Sequence, residues 1–323
     1  MVHGPHIRPF RASLSNSRKL PGVRCCASNL RRLYFSLSPT PSELHIQADI
    51  LRIPAGGGAL HVERFGHGGQ PVLLIHGFPT SSFLWRAIAP RLAESGHTAL
   101  ALDLLGYGES DRPLDGDYSI AAQAEHIDRV LTALRIPRAA VVGIDAGGGV
   151  AQRLAVTRPA RVSALMLINS VGFDECPARD VKVVQRETAR FAFRLTQGML
   201  GAAQLLRRVL EGSVADRERM PARLVARYLA PYVGSEGVTH LLAVARALRA
   251  EDVADLALKT IAVPTTIVWG EADQWLDSGM GERLQGAIPG SVLIKLPGVA
   301  RLVPEESPET LTQLIDELVR RTV

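Results

Sequence analysis

The stretch VVGIDAGG, residues 141–148, is a short apolar run that ends in a Gly-x-Asp-x-Gly turn and is followed by helix-like sequence. A strand that turns sharply into a helix needs small residues around its tip, because the tip residue is held above the strand end in a strained backbone conformation. Gly143 and Gly147 supply the small residues, and Asp145 lies at the tip. The stretch therefore predicts a nucleophile elbow with a carboxylate as the nucleophile. An ordinary turn aspartate is the alternative, because Asp is common in turns.

Short apolar runs alternate with longer helix-like stretches from about residue 48 onward, a pattern typical of a mostly parallel sheet covered by helices. The first two runs predict a hairpin around Gly56, Gly57 and Gly58, and the later runs predict strands buried on both faces. The eight predicted strands are 49–53, 60–64, 72–75, 98–103, 139–142, 164–168, 265–269 and 292–296. The predicted crossover helices are 81–94, 120–134, 148–157, 281–288 and 308–320. We therefore expect an α/β fold with an eight-stranded, mostly parallel sheet flanked by helices.

Residues 172–250 break this alternation. Leu, Ala and Arg recur there at helical spacing, interrupted by Gly212, Pro221, Pro231 and Gly234, and no strand candidate is present. An insertion after the sixth strand would lie over the carboxyl ends of the sheet, where open α/β sheets bind ligands. We expect a core formed by residues 46–171 and 251–323, with residues 172–250 as a helical cap, or lid, over the elbow.

The net charge of +5 comes from the N-terminal segment. Seven Lys or Arg residues precede the first acidic residue, Glu43, and the rest of the chain carries 30 basic and 32 acidic residues. A nearly neutral body gives no support for nucleic-acid binding, which needs a basic face. Residues 1–45 are therefore expected to be a disordered basic leader, either a transit peptide or sequence upstream of the true start.

The remaining composition favours a cytoplasmic protein that acts on small molecules. The hydrophobic fraction of 46% allows a large core, and no apolar run approaches the roughly 20 residues of a membrane-spanning helix. Cys25, Cys26 and Cys176 show neither a disulfide pattern nor metal-ligand spacing. We expect a small-molecule substrate, with no cofactor, metal, nucleic acid or membrane partner, and the oligomeric state is left open.

Three further motifs accompany the elbow in a fixed order: HGFPTSSFLWR at 76–86, DLLGYGES at 103–110 and TIVWGEAD at 266–273. With these four motifs, the chain from about residue 48 to its end resembles the α/β-hydrolases, in the branch that uses an aspartate nucleophile, as haloalkane dehalogenases and epoxide hydrolases do. The resemblance implies that Asp145 attacks an electrophilic carbon and forms an ester. The backbone amides of Phe78 and Ala146 would form the oxyanion hole. Asp273 matches the family's supporting acid, with a plain loop aspartate as the alternative.

One residue departs from the family pattern. Where the resemblance calls for a catalytic histidine, the stretch LPGVARLVPEE at 296–306 offers Arg301. Arginine keeps its proton at working pH and cannot activate water, although a guanidinium can form a bidentate ion pair with Asp273. Three outcomes are open: another residue is the base, the protein binds or traps a ligand without turnover, or it is silent. His240 is the first candidate for another base and His126 the second, while His76 is expected to be structural.

The substrate class is the least determined feature. Dehalogenases in the family carry tryptophan after the nucleophile, where Ala146 stands, and often a polar residue where Phe78 stands. Epoxide hydrolases use lid tyrosines to protonate the opening ring, and Tyr228 and Tyr232 lie four residues apart in the cap, where packing is their alternative role. Trp275 is expected to line the pocket. The preferred function is a hydrolase of epoxides or carbon–halide compounds. The alternative is a hydrolysis-deficient pseudoenzyme or small-molecule binder, and a weaker one has Arg301 binding a substrate carboxylate.

Overall fold

The described residues form an eight-stranded sheet with helices on its faces, as the sequence predicts. The computed structural model describes Met1, residues 46–186 and residues 201–322. Apart from Met1, the expected leader lies outside this range, and so do residues 187–200 of the expected cap. The strands are Asp49–Pro54 (β1), Ala59–Phe65 (β2), Pro71–Ile75 (β3), Thr98–Leu102 (β4), Ala139–Asp145 (β5), Val162–Ser170 (β6), Thr265–Gly270 (β7) and Val292–Leu296 (β8).

The strand order is β1-β2-β4-β3-β5-β6-β7-β8. β1 and β2 form the predicted antiparallel hairpin, β2 pairs antiparallel with β4, and the other pairs are parallel. β5 and β6 are buried along their whole length, as expected for continuously apolar runs in the middle of a parallel sheet. The elbow therefore leaves the sheet from a central strand, with neighbours on both sides.

Ten helices are described: Ala89–Glu94 (α1), Ile120–Ala133 (α2), Ala146–Thr157 (α3), Arg179–Gln185 (α4), Gly201–Glu211 (α5), Ala222–Leu229 (α6), Gly234–Ala247 (α7), Met280–Ala287 (α8), Val303–Glu306 (α9) and Pro308–Arg320 (α10). α4 to α7 lie between β6 and β7, in residues 172–250, which we call the cap segment. No strand is present in the part of the cap segment that the structure describes. None of the described helices is long and apolar enough to cross a membrane.

The predicted helix over 81–94 is wrong. A 3₁₀ turn occupies Ser82–Trp85, and α1 begins only at Ala89. Proline has no N–H to donate and fits only the first turn of a helix, so Pro90 marks a helix start instead of a helix interior. The other differences lie at element ends: β4 stops one residue before Asp103, β5 continues to Asp145, and the next helix begins two residues earlier than predicted.

Candidate functional site

Asp145 lies at the tip of a strained strand-to-helix turn. It is the last residue of β5 and has φ 52° and ψ −123°, immediately before α3 begins. A Cβ atom on Gly147 would lie 2.2 Å from the carbonyl oxygen of His76, and one on Gly143 would lie 2.3 Å from the carbonyl oxygen of Gly147. The turn therefore requires glycine at both positions, which explains the sequence pattern from which it was predicted.

The loop after β3 places a backbone donor on one oxygen of this carboxylate. The N–H of Phe78 donates to Oδ2 of Asp145 at 2.9 Å, and the backbone N–H of Ala146 helps to lower the pKa of this carboxylate. A Cβ on Gly77 would lie 2.6 Å from the same Oδ2 atom, so this close approach again depends on glycine. The amide of Phe78 thus contacts the Asp145 carboxylate, while the oxyanion hole formed by Phe78 and Ala146 stays a prediction.

His76 holds that loop. Its Nε2 accepts the N–H of Leu104 at 3.1 Å, so the ring proton is on Nδ1, which donates to the carbonyl of Gly77 at 2.9 Å. Burial lowers the pKa of His76, which keeps the ring neutral. Both nitrogens are therefore engaged with backbone, in agreement with the structural role expected for this residue.

Arg301 is buried beside Asp145, with a relative exposure of 1%. Its Nη1 lies 3.5 Å from Oδ1 of Asp145, the oxygen that does not bond Phe78. The expected bidentate pair between Arg301 and Asp273 is wrong. Arg301 instead pairs with Asp180 of α4, through Nη1 at 3.1 Å and Nη2 at 2.7 Å. Nη2 also donates to Oγ of Ser213 at 2.9 Å. One guanidinium thus joins the elbow to two residues of the cap segment.

Asp273 is bonded to other donors. Its Oδ2 accepts the side-chain amide of Asn169 at 2.9 Å, and its Oδ1 accepts the N–H of Trp275 at 2.8 Å. Asn169 also exchanges two hydrogen bonds with the backbone of Gly270, which ties the end of β6 to the end of β7. Burial raises the pKa of Asp273, and Arg301 acts in the opposite direction.

The charges of the site follow from this burial. Burial raises the pKa of Asp145 to about 6, while Arg301 and the amides of Ala146 and Phe78 oppose the shift and Asp180 adds to it. Burial also opposes the charge of Arg301, but Asp180 and Asp145 outweigh it and raise the pKa of the guanidinium further above its ordinary value. At neutral pH, Asp145 is therefore mostly ionised and Arg301 is fully protonated.

The two candidate replacement bases have other neighbours. Nε2 of His240 donates to the carbonyl of Gly106 at 2.6 Å, and its ring packs edge-on against Tyr118. Nδ1 of His126, on α2, is buried with no hydrogen-bond partner among the described residues. Burial lowers the pKa of both histidines. Neither makes a described contact with Asp145 or Arg301, so the structure does not bring them into this cluster.

The aromatic candidates divide into two groups. The Tyr228 hydroxyl donates to the Glu305 carboxylate. Arg86 also donates two hydrogen bonds of 2.7 Å to this carboxylate. In contrast, the Tyr232 hydroxyl and Trp275 Nε1 are buried without a hydrogen-bond partner in the described part of the chain. The Trp275 ring centroid lies 6.0 Å from the guanidinium carbon of Arg301, which places this residue beside the cluster.

The pocket expected over Asp145 stays a prediction, and a cleft that the structure does show lies elsewhere. A cleft of about 420 Å³ opens between the 114–119 turn and the C-terminal half of α7, and its lining includes neither Asp145 nor Arg301. Asp145 itself is only 3% exposed. Within residues 46–186 and 201–322, no group of three or more His, Cys, Asp or Glu side chains is arranged to hold a metal ion.

Sequence analysis missed Asp180, Ser213 and Asn169. Asn169 follows a buried strand run, the usual signal for a residue at the carboxyl edge of a sheet, and could have been found on that ground. Asp180 and Ser213 carry no such signal, because they lie 121 and 88 positions from Arg301 in a helical segment. Only the folded chain brings them to the site.

The sequence pattern that defines the alpha/beta hydrolase fold matches residues 70–308. Haloalkane dehalogenase 2 of Mycobacterium tuberculosis is 27% identical over 254 residues, which cover 77% of this chain and 87% of that protein. The structure of an alpha/beta hydrolase fold protein from Burkholderia ambifaria is 29% identical, with a TM-score of 0.73 over 84% of this chain and 99% of the other. The structure of the epoxide hydrolase CorEH, at 20% identity and a TM-score of 0.71 over 86% and 100% of the two chains, is similar in fold.

Proposed function

The chain belongs to the alpha/beta hydrolase fold family, and from that premise we propose that it is a hydrolase of small, largely apolar electrophiles, of the epoxide or carbon–halide type, with Asp145 as the nucleophile. The observation that carries the proposal is the position of Asp145. Its carboxylate stands on a strained turn with Oδ2 on the Phe78 amide, which leaves Oδ1 as the attacking atom.

The first half-reaction forms an ester on Asp145. Oδ1 bonds to the electrophilic carbon, and the bond from that carbon to the epoxide oxygen or halogen breaks, with its electron pair going to the leaving group. Oδ2 becomes the ester carbonyl oxygen and keeps its hydrogen bond to Phe78, so no donor has to move. Because the pKa of Asp145 is about 6, the attacking carboxylate is ionised at neutral pH.

The choice between the two substrate types rests on two residues of the elbow and one tyrosine of the cap segment. Ala146 and Phe78 carry no side-chain donor for a departing halide, whereas the Tyr232 hydroxyl is a buried donor without a partner among the described residues. A hydroxyl can give a proton to an opening epoxide ring. These residues favour epoxides, while the similarity to haloalkane dehalogenase 2 keeps carbon–halide compounds in the proposal.

A second candidate is a binder or trap without turnover. The guanidinium of Arg301 lies 3.5 Å from Oδ1, the oxygen that would attack, and it cannot serve as the general base for hydrolysis of the ester. If no other group replaces the histidine, an ester on Asp145 persists. If Arg301 also blocks the attack, the chain binds its ligand only without a covalent bond.

Intact-mass measurement with product analysis separates these functions. The folded protein is incubated with a panel of epoxides and alkyl halides, and protein mass and released alcohol, diol or halide are recorded together. Product release with a transient adduct supports the hydrolase. A stable adduct without alcohol or diol release supports the trap, and silence in both readouts contradicts covalent chemistry. Asp145→Asn is the control, because an adduct that survives this change lies on another nucleophile.

Replacing Arg301 tests the departure from the family directly. If the parent forms an adduct and has no base to release it, Arg301→His is expected to raise product release by about 10²-fold, within the range of a restored general base. The comparison requires that parent and variant show the same folded state by circular dichroism. If the properly folded variant releases product no faster than the parent, the hypothesis that the site lacks only a general base is contradicted.

A further inference from the structure

We propose that Asp180 is the general base of the second half-reaction, because Arg301 holds its carboxylate beside the Asp145 carboxylate. This inference rests on the proposed function. Asp180 lies on α4 of the cap segment and is completely buried. It takes the task that Arg301 cannot perform, while Arg301 becomes a positioning residue for the base.

The two carboxylates share one nitrogen. Nη1 of Arg301 lies 3.1 Å from Oδ1 of Asp180 and 3.5 Å from Oδ1 of Asp145. The sum of these two distances is therefore the upper limit for the separation of Oδ1 of Asp180 from Oδ1 of Asp145. A general base acts on its target directly or through one water molecule, and the shared nitrogen keeps the two carboxylates in neighbouring positions, as this role requires.

Asp180 also has acceptor capacity left. Each of its oxygens accepts one N–H from Arg301, whereas an ionised carboxylate offers about four lone-pair sites. The bidentate pair fixes the plane of the carboxylate and compensates its buried charge without consuming the sites that a water would use.

The competing acceptors near the elbow are engaged. Both nitrogens of His76 bond backbone groups, and the Asp273 carboxylate accepts N–H groups from Asn169, Trp275 and Leu276. The Ser213 hydroxyl donates to the carbonyl of Val209. Within the described part of the cluster around Arg301, Asp180 is the carboxylate that borders Asp145 and bonds no other residue than Arg301.

The step balances without a further reagent. The water oxygen bonds to Cγ of Asp145, its proton passes to Asp180, and the carbonyl electron pair moves to Oδ2, against the Phe78 amide. When the carbonyl re-forms, the bond between Cγ and Oδ1 breaks and the leaving alkoxide takes the proton from Asp180. Asp145 remains as a carboxylic acid, now with one oxygen from water, and it releases its proton to solvent.

The experiment measures ester formation and ester release separately in Asp180→Asn. We expect adduct formation within about threefold of the parent and release slowed by about 10²–10⁴-fold, the usual contribution of a general base. A residue that only held Arg301 in place would change both steps together. Asp174→Asn is the matched control, because Asp174 lies in the same segment but pairs at the surface with Arg283; it should leave both steps unchanged.

A second variant covers the case in which Asp180→Asn fails to fold. Asp180→Glu keeps a carboxylate on this side chain and should recover part of the release rate. Unchanged release in Asp180→Asn, or an adduct on the parent that never releases, overturns Asp180 as the base but leaves the attack by Asp145 intact. Absence of any adduct or product in the parent contradicts the proposed function, and the role of Asp180 falls with it.

Discussion

Two regions of the molecule, both close in sequence or in contacts to candidate site residues, are built in different ways. The elbow region consists of Gly77, Phe78, Gly143, Asp145 and Gly147, and the cap-facing region of Asp180, Ser213, Tyr228, Arg301 and Glu305. In the elbow region the contacts run from backbone to one carboxylate, and their closeness depends on missing Cβ atoms. In the cap-facing region, charged and hydroxyl side chains bond one another across 77 to 121 positions of sequence.

The difference corresponds to the two half-reactions of the proposed hydrolysis. The elbow region contains what ester formation needs, namely an ionised carboxylate and fixed amide donors. Ester hydrolysis needs a proton acceptor, and this depends on the cap-facing region, where the family's histidine position carries Arg301. A change in the elbow region should therefore act through packing, whereas a change in the cap-facing region should act through charge and hydrogen bonding.

The largest expected effect comes from Gly147→Ala in the elbow region. The added Cβ would lie 2.2 Å from the carbonyl oxygen of His76, and a backbone atom cannot move aside as a flexible side chain can. We expect a loss of about 3 kcal/mol or more in the free energy of unfolding, at the upper end for overpacked sites. Urea denaturation measures it.

Gly286→Ala is the matched control for that substitution. Gly286 lies on α8, is exposed, and has no atom within 4 Å of the position of an added Cβ. Alanine there should stabilise the protein by up to about 1 kcal/mol through helix propensity. Equal losses in the two variants would show that the elbow region does not depend on close backbone contact.

The second prediction concerns the charge of Asp145. Burial raises its pKa from 3.8 to about 6, so the carboxylate is protonated and not nucleophilic below that pH. The rate of adduct formation should be constant above pH 7 and should fall about tenfold for each pH unit below 6. Stopped-time mass measurements from pH 4 to pH 9 give the profile. A midpoint near 4 would mean that Arg301 and the amides fully offset the effect of burial.

The same shift affects stability in a defined direction. The folded state holds the Asp145 proton more tightly than the unfolded chain does. The contribution of this group to stability is therefore complete below pH 4 and is lost as the pH rises through 6. Asp145→Asn removes the titration, so its stability relative to the parent should increase from pH 4 to pH 7.

The elbow region could be predicted from sequence because its geometry is local. Gly143, Asp145 and Gly147 lie within five positions, and the strain at the tip excludes most alternatives to glycine beside it. The eight strands were predictable for a similar reason, since each is a short apolar run. The predicted helix over 81–94 was wrong because the prediction followed the apolar periodicity of the whole segment. Pro90 is a local signal for a helix start, and the prediction did not use it.

The partners in the cap-facing region could not be predicted in the same way. Arg301 was expected to pair with Asp273, the acid nearest to it in the family's geometry, but Asn169 and the Trp275 amide already bond that carboxylate. Asp180 takes the guanidinium from a distant helix instead. Which of several acids pairs with a buried arginine depends on the packing of whole helices, and no sequence spacing encodes it.

The smallest effects are expected for substitutions of two tyrosines of the cap segment. Tyr228→Phe removes a hydroxyl that donates to the buried Glu305 carboxylate, so we expect a loss of about 1.5 kcal/mol in the free energy of unfolding. Tyr232→Phe removes a buried hydroxyl without a described partner, which should leave stability unchanged or slightly higher. Urea denaturation of both variants gives the comparison, and equal losses would show that the Tyr232 hydroxyl has a partner in the folded protein.

The same two variants should differ in the opposite order in the rate of adduct formation. If Tyr232 gives its proton to an opening epoxide, Tyr232→Phe slows adduct formation with epoxides and not with alkyl halides, while Tyr228→Phe slows neither.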